Sequence, residues 1–305
     1  MGSCFAEHIS QRLEQYKFKT YLNPFGILYN PVSIAWGLEF LLSKASFGPE
    51  DVFLHQTLWH SFRHHGAFSH PDRDTMVDQL NEHLQLARTF LGKTTKLIIT
   101  LGTAYGYVHR ASGEVVANCH QLPAQHFAKE MLDPVAIQAQ LGKALQMVKS
   151  RRPDLQVLLT VSPIRHIRDG LIENNRSKAR LLLVAEKLEQ ALDWVHYFPS
   201  YELVLDDLRD YRFFKDDLVH PSAMAVDYVW DHFAQALFRE ETVELIRQIE
   251  KIRKASAHRP FHPESTAHQA FLRKQLLQID QLESVYPFLD FVAERRAFTT
   301  QISNP

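Results

Sequence analysis

The sequence is poor in cysteine and has almost no net charge. Its two cysteines, Cys4 and Cys119, are too few for the disulfide framework of a small secreted protein, and they indicate a reducing compartment. Its 34 Lys and Arg residues nearly balance its 35 Asp and Glu residues, whereas nucleic-acid-binding proteins usually carry a basic excess. We therefore expect a cytoplasmic protein that does not bind nucleic acid.

Long apolar runs are also missing. No stretch approaches the roughly 20 apolar residues that a membrane-spanning helix needs, and no segment has the pattern of a signal peptide. A packed core is still expected, because 45% of the residues are hydrophobic and 23% are charged. At about 100–200 residues per domain, 305 residues make one large domain with an appendage or two small domains.

The hydropathy pattern alternates between helix and strand over residues 1–205. Continuous apolar runs at 97–101 and 157–161 are typical of buried parallel strands, and a short strand is expected at 18–22. We also expect a hairpin over 107–116 and an extended segment over 197–205. This alternation predicts an α/β fold with a parallel sheet. Helical periodicity predicts helices near residues 5–16, 31–42, 75–92, 134–149, 177–195, 223–254 and 264–283.

The C-terminal quarter differs in character, because residues after Pro221 are almost wholly helical in pattern until a break at 255–263. We therefore predict two domains. Residues 1–245 form the α/β domain, with a helical and irregular insertion at about 31–95, and residues 246–305 form a helical C-terminal extension.

Polar residues follow several of the predicted strands. Ligands of open parallel sheets bind beyond the carboxyl ends of the strands. The segments expected there contain Asn23 and Gly26, Gly102, Arg165 with His166, and Asp217 with His220. Ser3 joins them if a strand precedes it, since its hydroxyl would then lie at the positive terminus of a helix.

Ser3, His220 and Asp217 are candidates for a nucleophile, its base and the orienting carboxylate. The spacing of Asp217 and His220 lets their side chains meet on a loop, in catalysis or only in a loop-stabilising hydrogen bond. Asp-x-x-His occurs again at Asp193 and His196, so the spacing alone is weakly specific.

Blocks of sequence along nearly the whole chain resemble the GSCFA family, a bacterial group related to the SGNH hydrolases. The blocks are Gly2-Ser3-Cys4-Phe5-Ala6, Asn23-Pro24-Phe25-Gly26, Leu101-Gly102-Thr103-Ala104, Asn118-Cys119-His120, Ser162-Pro163-Ile164-Arg165-His166, Arg176-Ser177-Lys178 and Asp217 with His220-Pro221-Ser222. The resemblance implies a flavodoxin-like, three-layer SGNH-hydrolase-type sheet that carries a serine esterase or acyltransferase site.

The same resemblance implies roles for single residues. Ser3 would be the nucleophile, His220 the general base and Asp217 its partner, while the N–H groups of Ser3 and Gly26 would bind the oxyanion. The substrate would be a small O-acyl ester, such as an acylated carbohydrate, and no cofactor or metal is expected. Cys4 is the alternative nucleophile, since helix N-termini lower thiol pKa values.

The chain departs from the wider hydrolase pattern at Ala104, where that pattern has an asparagine. Asn118, Asn23 or His120 could supply the missing oxyanion donor. This departure motivates a second hypothesis, a non-catalytic ligand-binding protein on a hydrolase scaffold. Gly102 is expected to line the site.

Arg165 and His166 follow a buried strand, where a charged pair needs a partner or a ligand. Arg165 would bind an anionic substrate group or pair with an acid such as Asp169 or Glu173.

A histidine-rich segment suggests a metal-dependent enzyme as a third hypothesis. Its members are His55, His60, His64, His65 and His70. Their irregular spacing matches no zinc motif. The resemblance includes His64 and His65 with Trp59 and Phe68, which favours a cap over the active site.

Family members carry a strand directly before Gly-Ser-Cys-Phe-Ala, whereas only Met1 precedes Gly2 here. From this we expect a shortened start, with the first strand missing and residues 18–22 and 97–101 left without their shared partner.

Overall fold

A computed structural model describes residues 1–302, in which helices and strands alternate as expected for an α/β fold. The helices are α1 (Cys4–Gln15), α2 (Pro31–Leu42), α3 (Arg73–Leu91), α4 (Pro134–Arg151), α5 (Leu171–Ala191), α6 (Ser200–Glu202), α7 (Ala223–Leu237), α8 (Glu240–Ala257), α9 (Thr266–Val285) and α10 (Val292–Thr299). The strands are β1 (Phe53–His55), β2 (Leu58–His60), β3 (Lys96–Leu101), β4 (Tyr105–His109), β5 (Glu114–Val116), β6 (Phe127–Met131), β7 (Gln156–Val161) and β8 (Val195–Tyr197).

The central sheet is parallel and has the order β3-β7-β8. The two apolar runs pair in register, with Ile98 opposite Leu158 and Leu101 opposite Val161. Leu101, Leu159 and Val161 are fully buried, because helices cover the sheet. Among those helices, α2 packs on α4, α4 packs on α5, and α5 packs on β7 and β8.

Residues 1–3 take the place beside β3 that a first strand would have. Gly2 forms a parallel bridge with Thr100, and the Gly2 carbonyl accepts the N–H of Leu28 at 3.0 Å. The expectation that β3 lacks this partner is therefore wrong for its last residues. The strand expected at 18–22 does not form; this segment lies between Lys17 and Asn23, which adopt left-handed φ angles of 68° and 43°.

A second, antiparallel sheet has the order β5-β4-β6. The expected hairpin is confirmed, with Val108 opposite Val115. Strand β6 was not expected from the sequence, and it pairs with the other edge of β4, where Tyr105 lies opposite Met131. The segment expected to be extended over 197–205 is instead β8 followed by helix from Ser200 to Leu208.

The chain divides into two compact units. The first contains residues 1–10 and 21–229, and the second contains residues 11–20 and 230–305. The division thus lies within α7, whereas the sequence places the boundary at 245.

The second unit is helical. Tyr16 stacks on Trp230 with ring centroids 5.2 Å apart, and Lys17 pairs with the buried Glu294 at 2.7 Å. The helix expected over 223–254 is interrupted at Phe238 and Arg239, and α10 extends the helical part beyond the expectation. Over residues 1–302, none of the helices is both long and apolar enough to span a membrane.

Candidate active site

Ser3 lies where the extended segment ends and α1 begins. Its N–H donates to the Thr100 carbonyl at 3.0 Å, and the residue is only 1% exposed. Its Oγ is buried and has no hydrogen-bond partner among the described residues. Buried hydroxyl groups almost always have a hydrogen-bond partner. Stabilisation of the fold therefore does not explain the unpartnered Oγ of Ser3.

Asp217 and His220 form the predicted pair. The Asp217 Oδ2 atom lies 2.7 Å from His220 Nδ1, and Asp217 Oδ1 accepts the N–H groups of His220 and Val219. These bonds lower the pKa of Asp217 to about 2, so the carboxylate is charged at neutral pH. The turn contains Leu218 at a left-handed φ of 56°, which brings the two side chains together.

The expected hydrogen bond between Ser3 Oγ and His220 Nε2 is absent, since Ser3 Oγ has no partner. The His220 side chain is 39% exposed, whereas Ser3 is buried. The structure therefore forms the Asp217–His220 pair without a hydrogen bond from this pair to Ser3 Oγ. Catalytic hydrogen bonds are often long or unformed without substrate.

His166 is close enough to Lys178 and His220 for their charges to act on it. Its ring packs edge-on against Tyr29 with centroids 5.6 Å apart. Burial lowers the pKa of His166 to about 4, and the nearby charges of Lys178 and His220 contribute, so this imidazole is neutral at pH 7.

Arg165 binds the loop that carries the Asp217–His220 pair. It donates to the Leu218 carbonyl at 3.1 Å, and its guanidinium lies 4.4 Å from the centre of the Phe214 ring. The expected pairing with Asp169 or Glu173 is wrong. Asp169 pairs with Lys129 and Glu173 with Arg176.

The two backbone groups implied as oxyanion donors are both engaged. The Ser3 N–H binds the Thr100 carbonyl, and the Gly26 N–H donates to the Asn23 carbonyl at 2.8 Å. Gly26 has the left-handed φ of 75° that makes this tight turn. An oxyanion role for either N–H stays a prediction that requires these bonds to open.

Asn23 carries a side-chain donor that is not engaged. Its Oδ1 accepts the Gly2 N–H at 2.9 Å, and this bond fixes which end of the amide is oxygen. Its Nδ2 is buried and has no partner among the described residues. This amide therefore binds the residue that directly precedes Ser3. The position of the missing asparagine, Ala104, is fully buried, and its N–H donates to Ser177 Oγ.

Asn118 and His120 lie against the histidine-rich segment, since the His120 ring packs on His60 with centroids 4.6 Å apart. Asn118 Oδ1 accepts the His120 N–H at 2.9 Å, and His120 Nε2 lies 2.7 Å from the Ser61 carbonyl. Neither residue has a hydrogen bond to Ser3 or Asn23 in the described chain. Among the three donors considered from the sequence, the described chain has a hydrogen bond to the residue next to Ser3 for Asn23 alone.

The histidine-rich segment packs instead of gathering ligands. Burial lowers the pKa of His64 to about 3, and its ring lies against Phe25 and Phe47. His65 donates its N–H to the Phe25 carbonyl at 2.9 Å, so the segment rests on the loop that contains Gly26. Within residues 1–302, no three His, Cys, Asp or Glu side chains are arranged to hold a metal ion.

Other residues of interest are less favourable for chemistry. Burial and the charge of Glu7 raise the pKa of the Cys4 thiol, which opposes a thiolate nucleophile. His196 Nε2 lies 3.0 Å from Gln156 Oε1 on the neighbouring strand.

Lys178 is a residue of the site to which the sequence pattern gives no role. This lysine is 1% exposed and donates to the carbonyls of Gly102 and Ser162, at 2.6 and 2.7 Å. A signal was present, because Lys178 is in line with the buried Leu181, Ala185 and Leu188 on one face of α5. A lysine in an apolar stripe indicates a buried charge with fixed partners.

Together, the parallel sheet and the polar groups at the carboxyl ends of its strands define an α/β protein with a candidate site at that edge. The match to family models gives the family: the GSCFA family model covers residues 1–233, and the model of the GSCFA domain protein, C-terminal domain, covers residues 249–304. The chain belongs to the GSCFA family. No curated protein and no solved structure matches it.

Proposed function

We propose that this protein is a serine-dependent ester hydrolase or acyltransferase that acts on a small O-acyl ester, such as an acylated carbohydrate. The observation that carries the proposal is the buried, unpartnered Ser3 Oγ just before α1, together with the unpartnered Nδ2 of Asn23, whose Oδ1 accepts the N–H of Gly2. A nucleophile and a donor that are both free are what an incoming ester carbonyl requires.

In the proposed reaction, Ser3 Oγ attacks the carbonyl carbon of the ester and its proton passes to His220 Nε2. Asp217 holds Nδ1 of the same ring and stabilises the imidazolium. Asn23 Nδ2 donates to the oxyanion. Collapse of the tetrahedral intermediate breaks the ester C–O bond, and the leaving alcohol takes the proton from His220. Water or an acceptor alcohol then removes the acyl group from Ser3 by the same steps in reverse.

The Ser3–His220 hydrogen bond has to form when substrate binds. The Asp217–His220 turn lies on an exposed loop that Arg165 holds by a single hydrogen bond to Leu218. The proposal therefore requires this loop to move toward Ser3 when substrate binds.

A non-catalytic ligand-binding protein is the second candidate, and a specific observation favours it. The Ser3–His220 bond is unformed, and the N–H groups of Ser3 and Gly26 both bind carbonyls. On this hypothesis the same residues bind an ester or sugar and release it unchanged.

For the compartment we propose the cytoplasm, which the two unpaired cysteines support.

The test compares hydrolysis of p-nitrophenyl acetate and acetylated sugars by wild type, Ser3→Ala and Ser150→Ala. Ser150 is an exposed serine on α4 and serves as the matched control. The enzyme hypothesis predicts turnover that only Ser3→Ala abolishes. Release of the acyl group to an added sugar, followed by mass spectrometry, distinguishes transfer from hydrolysis. Saturable binding of an acetylated sugar without turnover would support the binding protein instead.

A further inference from the structure

Lys178 is a fully buried lysine that the proposed reaction does not use. Its Nζ joins the ends of two neighbouring strands, because it donates to the Gly102 carbonyl just after β3 and to the Ser162 carbonyl just after β7. A buried ammonium group is unfavourable unless hydrogen bonds compensate it, and here two carbonyls do so.

The contacts of Gly102 bring this lysine close to the nucleophile. A Cβ atom at Gly102 would lie 3.3 Å from the Cβ of Ser3, so the Gly102 backbone forms a wall against Ser3. The peptide group between Gly102 and Thr103 is held on both sides. Its carbonyl accepts from Lys178, and its N–H donates to the Tyr29 carbonyl at 2.9 Å.

We infer that Lys178 is a positioning residue of the Ser3 site. Its ammonium group fixes Gly102 behind Ser3 and supplies positive potential where negative charge develops during attack on an ester. This inference rests on the proposed function. It also offers a physical counterpart to the donor that is missing at Ala104, since a fixed charge stabilises an oxyanion without direct contact.

The charge state of Lys178 is sensitive to pH near neutrality. Burial lowers its pKa to about 7, and the groups that face it are Cys4 from α1 and His166 from the loop after β7. The Cys4 thiol has a raised pKa and His166 has a pKa of about 4, so neither changes charge near pH 7. Activity that needs the ammonium group therefore falls as the pH rises through about 7. A general base alone gives the opposite trend, with activity that rises as the base loses its proton.

The experiment measures the rate at which a fluorophosphonate probe labels Ser3 between about pH 5.5 and about pH 9.5. The proteins are wild type, Lys178→Met, Lys178→Arg and Lys187→Met, where Lys187 is an exposed lysine on the same helix. Circular dichroism confirms that each variant is folded.

We expect wild type and Lys187→Met to show the same decline above about pH 7. Lys178→Met should label at least about tenfold more slowly and lack the decline. Lys178→Arg, if folded, should keep its rate to higher pH, because a guanidinium stays charged. The pH profile of the wild-type protein tests the inference even if the Lys178 variants do not fold.

Wild-type rates for Lys178→Met, or a wild-type profile without the decline, would overturn the inference and leave the serine enzyme standing. If wild type is not labelled at Ser3 at all, the proposed function fails and this inference fails with it.

Discussion

The Asn23 side chain binds the backbone of Gly2, the residue before Ser3, through Oδ1 at 2.9 Å. The amide is thereby anchored, while its Nδ2 has no partner. This relationship separates two functions of one side chain, a structural acceptor and a free donor, and the two can be tested apart.

Asn23→Asp removes the donor and keeps the acceptor for Gly2. We expect kcat for an aryl ester to fall by about 10²–10³, which is the usual effect of losing one oxyanion donor. The hydrogen bond to Gly2 can remain, and the thermal midpoint checks that the buried carboxylate leaves the protein folded. Asn175→Asp is the matched control, since Asn175 is exposed on α5 and its Oδ1 also accepts a hydrogen bond, from Asn174. An Asn23→Asp variant with wild-type kcat would remove Asn23 from the oxyanion site.

Asp217→Asn tests whether the Asp217–His220 bond serves catalysis or only the loop. The amide oxygen can still accept the N–H groups of Val219 and His220, but its NH₂ group cannot accept from His220 Nδ1. The wrong imidazole tautomer is then favoured, and in serine triads this lowers kcat by about 10⁴. A large loss of kcat with little change in the thermal midpoint would support the catalytic role. Equal activity of variant and wild type would leave the pair as a loop-stabilising hydrogen bond.

The free energy of unfolding should rise with pH because of Lys178. The folded chain releases this proton near pH 7, whereas the unfolded chain keeps it until about the ordinary value of 10.5. Between these values the unfolded state binds more protons, so stability increases by up to about 1.4 kcal/mol for each pH unit. Below about pH 7 the destabilisation is fully present.

Urea unfolding of wild type and Lys178→Met at about pH 6 and about pH 9.5 checks this sign. The free energy of unfolding should increase more between the two pH values for wild type than for Lys178→Met. Parallel pH dependences would show that Lys178 keeps its charge in the folded protein.

Gly26→Ala should destabilise the protein more than a backbone penalty alone explains. Gly26 and Gly113 have similar left-handed φ angles, 75° and 71°. A Cβ at Gly26 would lie 2.4 Å from the Cβ of His65, whereas nothing lies within 4 Å of one at Gly113. Gly113→Ala is therefore expected to lower the free energy of unfolding by only about 1–2 kcal/mol, the cost of placing an L-residue in the left-handed conformation. Urea midpoints compare the two variants, and equal losses would contradict the close packing of His65 on Gly26.

The parts of the structure that sequence reasoning predicted are local. The apolar runs that form β3 and β7 predicted the parallel sheet. Asp217 reaches His220 across one turn, so the spacing of the two residues was enough to predict their contact. The family resemblance added Ser3, which no local pattern singles out.

The remaining features depend on contacts between distant segments. The bond from Asn23 to Gly2 and those from Lys178 to Gly102 and Ser162 join residues that only the folded sheet brings together. The strand expected at 18–22 is not formed, because hydropathy does not report whether a neighbouring strand is in place to pair with it. Strand β6 was not predicted, because it pairs with the edge of β4 opposite β5, and the sequence pattern of a two-stranded hairpin does not indicate a third strand.

The most direct test of the serine mechanism is the site at which a fluorophosphonate probe reacts. Mass spectrometry of the digested wild-type protein should place one phosphonyl group on Ser3. Ser3→Ala should remain unlabelled, and Cys4→Ser, which exchanges the neighbouring thiol for a hydroxyl, should still be labelled at Ser3. Labelling that survives Ser3→Ala, or no labelling of the folded wild-type protein, would contradict the account.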